Sequence, residues 1–89
     1  MEQKIRVMVA EDLPLLREDF CDVVSAQDDM EVVGSAATGE EIVALAAKTP
    51  CDVILMDIEM ETIDAGIRAA EVITARSPQV KILFLTAHE

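Results

Sequence analysis

Apolar positions along the chain fall into two textures. Residues 4–10 (KIRVMVA), 52–56 (DVILM) and 81–86 (KILFLT) are short, mostly apolar runs, the first interrupted by Arg6. Each predicts a strand that is apolar on both faces. Residues 31–37 (EVVGSAA) form a weaker run with small residues and predict an edge strand. Between these runs the spacing changes to that of a helix. Leu16, Phe20, Val23 and Val24 recur on one face of a segment from Pro14 to Ala26, with the proline where a helix tolerates its missing N–H. Thr38 and Glu41 form a T-x-x-E capping box that opens a helix carrying Ile42, Leu45 and Ala46, and Thr49-Pro50 closes it. Ile67, Ala70 and Ile73 mark a third helix over 65–76, punctuated by Ser77-Pro78. An irregular acidic loop, 57–64, precedes it.

The order β-α-β-α-β-α-β predicts an α/β fold with a parallel sheet, right-handed crossovers and helices on both faces. Placing the first and third strands side by side gives the flavodoxin-like, doubly wound order 2-1-3-4. Its ligand crevice lies at the carboxyl ends of those two strands. No repeat, linker or low-complexity segment divides residues 1–89, which read as a single domain.

Charge narrows the function. The 89 residues carry a formal net charge of −11, which argues against this segment gripping nucleic acid and is compatible with cations or basic partner surfaces. A 52% hydrophobic content predicts folding rather than an acidic disordered tail. No apolar run has the length of a membrane span, and the N-terminus lacks a signal-peptide pattern, so a cytoplasmic location is expected. Cys21 and Cys51 make no metal or CxxC pattern and are expected to be reduced thiols. No G-x-G-x-x-G follows the first strand, which argues against a dinucleotide site.

The candidate chemistry lies at the strand ends. Glu11 and Asp12 follow the first strand, and Asp57 follows the third with Glu59 two residues on. Carboxylates crowded together repel, and a divalent cation relieves that repulsion. Mg²⁺, with its preference for oxygen ligands and retained waters, suits two carboxylates and a backbone carbonyl. Beside such a cation Asp57 is a competent nucleophile toward a phosphoryl group, forming an aspartyl phosphate. The Thr86 hydroxyl, ending the fourth strand on the same rim, could donate to a phosphoryl oxygen. Plainer roles stand beside these. Asp12 also reads, with less weight, as a charge favouring a helix dipole and Asp57 as a loop-start residue, while Thr86 alone reads more readily as an ordinary strand-end hydroxyl. Glu59 and Glu61 read as solvated loop acids, His88 has no ligand cluster around it, and Met8, Met56 and Met60 read as packing residues.

Taken in order, IRVMVAED (5–12), DVILMDIEM (52–60), AGIRAAEVI (65–73) and KILFLTAHE (81–89) resemble the receiver domain of two-component response regulators. The resemblance is strongest to the subfamily whose receivers precede a helix-turn-helix DNA-binding domain. It implies that Asp57 is the phosphoacceptor, that Asp12 binds Mg²⁺ directly and that Glu11 acts through water. It also implies that Glu59 offers its backbone carbonyl to the metal and that Thr86 is the switch hydroxyl. The implied phosphodonor is a sensor histidine kinase that docks near Pro14 and Leu15, and DNA would be reached only through a separate output domain. Such a chain receives a phosphoryl group and is not an enzyme beyond autophosphorylation and self-dephosphorylation. Two features depart from the family pattern. Glu61 stands where the family usually has proline, and Ala65-Gly66 shifts a glycine by one position. The family's C-terminal α-β-α portion, with a lysine ending its fifth strand, is not among residues 1–89.

With KILFL as the last strand, an apolar edge is left unpaired, and the expectation is self-association through that strand or marginal folding. Two other functions compete with the phospho-accepting switch. One is a non-phosphorylated interaction module. The other is a Toprim-like Mg²⁺-dependent nuclease drawing on Glu11, Asp57 and Glu59.

Overall fold

The computed structural model describes residues 3–85. The elements are β1 (Ile5–Ala10), α1 (Pro14–Ser25), β2 (Met30–Ala36), α2 (Gly39–Lys48), β3 (Val53–Asp57), α3 (Ala65–Arg76) and β4 (Lys81–Leu85). The strands form one parallel sheet in the order β2-β1-β3-β4, as the alternation predicts. Thr86 and His88 lie outside the described residues. The chain moves one way along the sheet through α1 and the opposite way through α2 and α3. Right-handed crossovers made in opposite directions put their helices on opposite faces. Accordingly, Met8 and Ala10 join a core cluster with Ile42 of α2 and Ala69, Ala70 and Ile73 of α3. Val7 and Val9, also buried, point to the other face by the two-residue period of a strand.

Each central strand owes its place to its sequence. Met8, Val9, Ala10, Ile54 and Met56 are completely buried, which is what runs apolar on both faces require. β4 departs from that expectation. Its Leu83 is 57% exposed and its Phe84 46%, because it pairs only with β3 and α3 shields little of it among the described residues. The edge expected to self-associate is therefore exposed.

Two helix faces also differ from the expected ones. In α1 only Val24 is fully buried, while Val23 is 62% exposed. In α3 the buried set is Ala65, Gly66, Ala69, Ala70 and Ile73, and Ile67 is 44% exposed. Small residues at this spacing let α3 lie close to the sheet, and the bulkier Ile67 sits about 100° around the helix. The capping box at α2 forms with one change. Thr38 Oγ1 accepts from the Glu41 N–H at 3.1 Å, while the Glu41 carboxylate reaches back to the N–H of Ala37 at 2.8 Å rather than to that of Thr38. Cys21 and Cys51 are free thiols, and burial pushes both upward in pKa.

The register of β1 against β3 is pinned at the end of the sheet remote from the crevice. Arg6 Nε and Nη2 donate to Asp52 at 3.1 and 2.9 Å, and the Arg6 backbone N–H donates to the same carboxylate at 2.8 Å. The Asp52 N–H returns a bond to the Arg6 carbonyl at 2.8 Å, and the Asp52 carbonyl accepts from Lys81 at 3.0 Å. One aspartate thus ties β1, β3 and β4 together. Hydrogen bonds from the Arg6 side chain, then from its backbone N–H, lower the Asp52 pKa to about 2.

At the opposite end, α3 begins almost on top of β3. The Gly66 N–H donates to the Ile58 carbonyl at 2.7 Å. A Cβ at Gly66 would collide with the Asp57 carbonyl oxygen and lie 2.8 Å from the Asp57 carbonyl carbon and from Ile58 Cα. The one-position shift of the glycine therefore has a steric reason: residue 66, not 65, meets the backbone.

Two predictions follow from these contacts. Gly66→Ala gains about 1 kcal/mol of helix propensity, but relieving a backbone collision costs about 2 kcal/mol or more. The net result is a lower urea midpoint, and an unchanged midpoint would refute the close approach. Asp52→Asn lowers the melting temperature at pH 5. The contribution of the depressed Asp52 pKa is fully present above its ordinary value of 3.8 and is lost as pH falls toward 2. The difference between wild-type and variant melts should therefore shrink across that window.

Candidate functional site

The loops leaving β1 and β3 diverge, and the crevice between them collects three carboxylates. Glu11, Asp12 and Asp57 each offer an oxygen, and these oxygens lie within 4.8 Å of one another. Register explains the meeting. Ala10 pairs with Met56, so the next residue on each chain, Glu11 and Asp57, stands at the same level. Asp57 is the last residue of β3, paired with Leu85, rather than the first of the loop. The strand therefore sets its position.

The three acids differ in environment. Glu11 is 1% exposed, Asp57 is buried and Asp12 is open to solvent. Glu11 is held from several sides. Its N–H donates to the Ala36 carbonyl at 3.0 Å, its carbonyl accepts from Arg17 Nη1 at 2.8 Å, and its Oε2 accepts from the Leu13 N–H at 3.2 Å. Its Oε1 is buried with no partner among the described residues. Burial, first, pushes the Glu11 carboxyl up to about 7 from an ordinary 4.5. The Leu13 N–H opposes this, and the nearby Asp12 and Asp57 add to it. A buried oxygen without a donor, facing two further carboxylates, is the environment that a cation would complete. The donor set is all oxygen, which suits a hard divalent ion.

Asp12 lies just outside α1 and makes no capping hydrogen bond to it. The N-cap of α1 is Leu13, and the first turn of α1 contains no acid. The side chain of Glu59 is exposed and stands outside the carboxylate cluster, so the acid pair needed for a Toprim-like site does not form. The hydrogen bonds of its loop, among the described residues, leave the Glu59 carbonyl without a donor.

Sequence reasoning missed three contributors. Arg17, one turn into α1, anchors the Glu11 backbone. Gly66 closes the loop onto the Asp57 backbone. Glu61, expected to be a solvated acid, accepts from the Gly39 N–H at 2.8 Å, and that bond is the leading cause of its lowered pKa. The arginine could have been sought as a cation one turn after the acids, but the Glu61 contact spans 22 positions and has no local signal.

The sequence model of the response regulator receiver domain matches residues 7–89. The transcriptional regulatory protein YxjL of Bacillus subtilis is 48% identical over 88 residues, which cover 99% of this chain and 40% of YxjL. The response regulator protein VraR of Staphylococcus aureus is 40% identical over 83 residues, covering 93% of this chain and 39% of VraR. The chain thus spans about two fifths of these curated relatives. Among solved structures, the response regulator domain of Thermotoga maritima CheB superposes with a TM-score of 0.89 at 36% identity, covering 96% of this chain and 62% of that one. Matched along nearly its whole length, and with its strand order and acidic crevice in place, this chain belongs to the response regulator receiver domain family.

Proposed function

We propose that the chain is a phospho-accepting switch in which Asp57 takes a phosphoryl group from a sensor histidine kinase. The observation that carries this reading is the convergence of Glu11, Asp12 and Asp57 at the ends of adjacent strands. An Asp57 oxygen forms the new bond to phosphorus, the bond from phosphorus to the donor's imidazole nitrogen breaks, and that nitrogen keeps the electron pair. Its place as the last residue of β3 fixes the Asp57 backbone and the level at which its carboxylate meets the crevice, so that positioning rather than acid–base chemistry is the chain's main contribution. Glu11, Asp12, Asp57 and the Glu59 carbonyl are the groups that would hold Mg²⁺. When bound, the ion supplies charge neutralisation for the incoming phosphoryl oxygens. Thr86, as the switch hydroxyl, completes the assignment.

The kinase contact is assigned to the start of α1. There Leu13 and Leu15 are 56% and 78% exposed beside the crevice, giving an incoming surface apolar contact. YxjL carries the name of a transcriptional regulator, and by that likeness the receiver would control a DNA-binding output domain in a longer protein. Among the described residues no helix is long and apolar enough to cross a membrane, which accords with a cytoplasmic switch.

Two experiments test the reading. Incubation with a small-molecule phosphodonor and Mg²⁺ should add the mass of one phosphoryl group to the intact protein, and the adduct should be absent from Asp57→Asn. A chain that binds Mg²⁺ but takes no phosphate would instead be an interaction module. The second experiment uses the raised pKa of Glu11. Its folded value of about 7 exceeds its ordinary 4.5, so the stability it contributes is full below 4.5 and is lost as pH rises through 7. Thermal melts without metal should show that loss, and Glu11→Gln should abolish this component. Added Mg²⁺, which needs the carboxylate deprotonated, should raise the wild-type melting temperature more at pH 8 than at pH 5.

A further inference from the structure

The loop from Ile58 to Asp64 joins the end of β3 to α3, and most of its hydrogen bonds are its own. Met60 N–H donates to the Thr62 carbonyl at 3.0 Å, Ala65 N–H donates to the same carbonyl at 3.3 Å, and Thr62 Oγ1 donates to Asp64 at 3.2 Å. Gly66 closes the loop at its base. Among the described residues, the loop has one hydrogen bond to a distant element, from the Gly39 N–H to Glu61 Oε1 at 2.8 Å.

The donor is well chosen. Gly39 is the first residue of α2, directly after the N-cap Thr38, so its N–H has no partner within the helix. A carboxylate at this end is also favoured by the helix dipole. The glycine leaves space for the contact. A Cβ there would lie 3.3 Å from Glu61 Oε2 and 3.1 Å from the Ala65 carbonyl oxygen, tighter than ordinary packing. Met60 packs against the core, but without this bond the segment 59–62 would have no hydrogen bond to a distant element among the described residues.

We propose that Glu61 is a positioning residue, whose carboxylate latches the loop after Asp57 to the first turn of α2 and so fixes the path of the backbone that presents the Glu59 carbonyl to the acidic crevice. This rests on the reading of that crevice as a Mg²⁺-dependent phosphorylation site. The latch gives the loop its order before a cation arrives. A loop without the latch must be ordered by the cation itself, and cation affinity falls by that amount.

The test is Mg²⁺ binding by isothermal titration calorimetry on the wild type, Glu61→Ala and Glu61→Gln, with urea melts of each. Loss of one charge-assisted hydrogen bond should weaken Mg²⁺ binding about fivefold in Glu61→Ala. Glu61→Gln keeps an acceptor oxygen and should recover most of the affinity. A Glu61→Ala variant that is less stable yet binds Mg²⁺ like the wild type overturns the proposal and leaves Glu61 a helix cap only. Should Glu61→Ala not fold, Gly39→Ala crowds the carboxylate while favouring the helix, and wild-type affinity there overturns the proposal equally. Wild-type protein that binds no Mg²⁺ also overturns it. The mass measurement separates the two readings. Phosphorylation with an unshifted Mg²⁺ affinity in Glu61→Ala removes the latch alone, and a shifted affinity in a chain that takes no phosphate removes the switch alone.

Discussion

The parallel pairing of β1 with β3 sets the position of every group in the crevice. A strand advances about 3.3 Å per residue, and a slip of one residue turns each side chain to the opposite face. Such a slip would bury the wrong side of both strands and separate Glu11 from Asp57. Two devices prevent it. Met8, Ala10, Ile54 and Met56 fill one continuous core that admits no shift, and the fork between Arg6 and Asp52 marks the starting level. The ion pair is half-exposed and so adds little stability by itself. Its geometry, with two guanidinium bonds and the Arg6 N–H on one carboxylate and a backbone bond returned from the Asp52 N–H to the Arg6 carbonyl, makes it a register mark rather than a source of strength.

That register brings together groups which repel. Glu11 is nearly inaccessible, has one oxygen without a partner and faces two other acids. A domain of this size has a small stability margin, so an arrangement that works against folding implies a use for the site. The surroundings hold the strain in place. Arg17 grips the backbone of Glu11 rather than its carboxylate, so the cation steadies the residue without occupying the oxygens that face the crevice.

The sequence revealed some of this and concealed the rest, for reasons that can be named. Strands buried on both faces leave largely apolar runs, so β1, from Val7 on, and β3 are plain to read, and the acids at their ends follow from topology. Thr38 and Glu41 lie three residues apart and signalled the start of α2 locally. Helix faces were harder. Bulk suggested Ile67 and Val23 as buried residues, but close packing against a sheet selects small side chains, and Gly66, Ala69 and Ala70 took the inner face of α3. The burial expected of β4 was legible as pattern but depends on what lies against it. Glu61 and Gly39, remote in sequence, gave no sign of meeting. Thr86 falls outside the described residues.

The place of β1 in the middle of the sheet also bears on how the chain is made. β1 is synthesised first, yet one of its two neighbours, β3, begins at residue 53. The Arg6–Asp52 bonds bridge 46 positions, a long closure in sequence. On a ribosome, β1, α1 and β2 can pair early, but the flank of β1 that receives β3 must wait with its backbone groups unmatched. The nascent segment is therefore open to wrong pairing until the residues of β3, from Val53 on, have emerged. Arg6, whose guanidinium later takes Asp52, keeps one end of that waiting edge charged, a feature that works against edge-to-edge pairing.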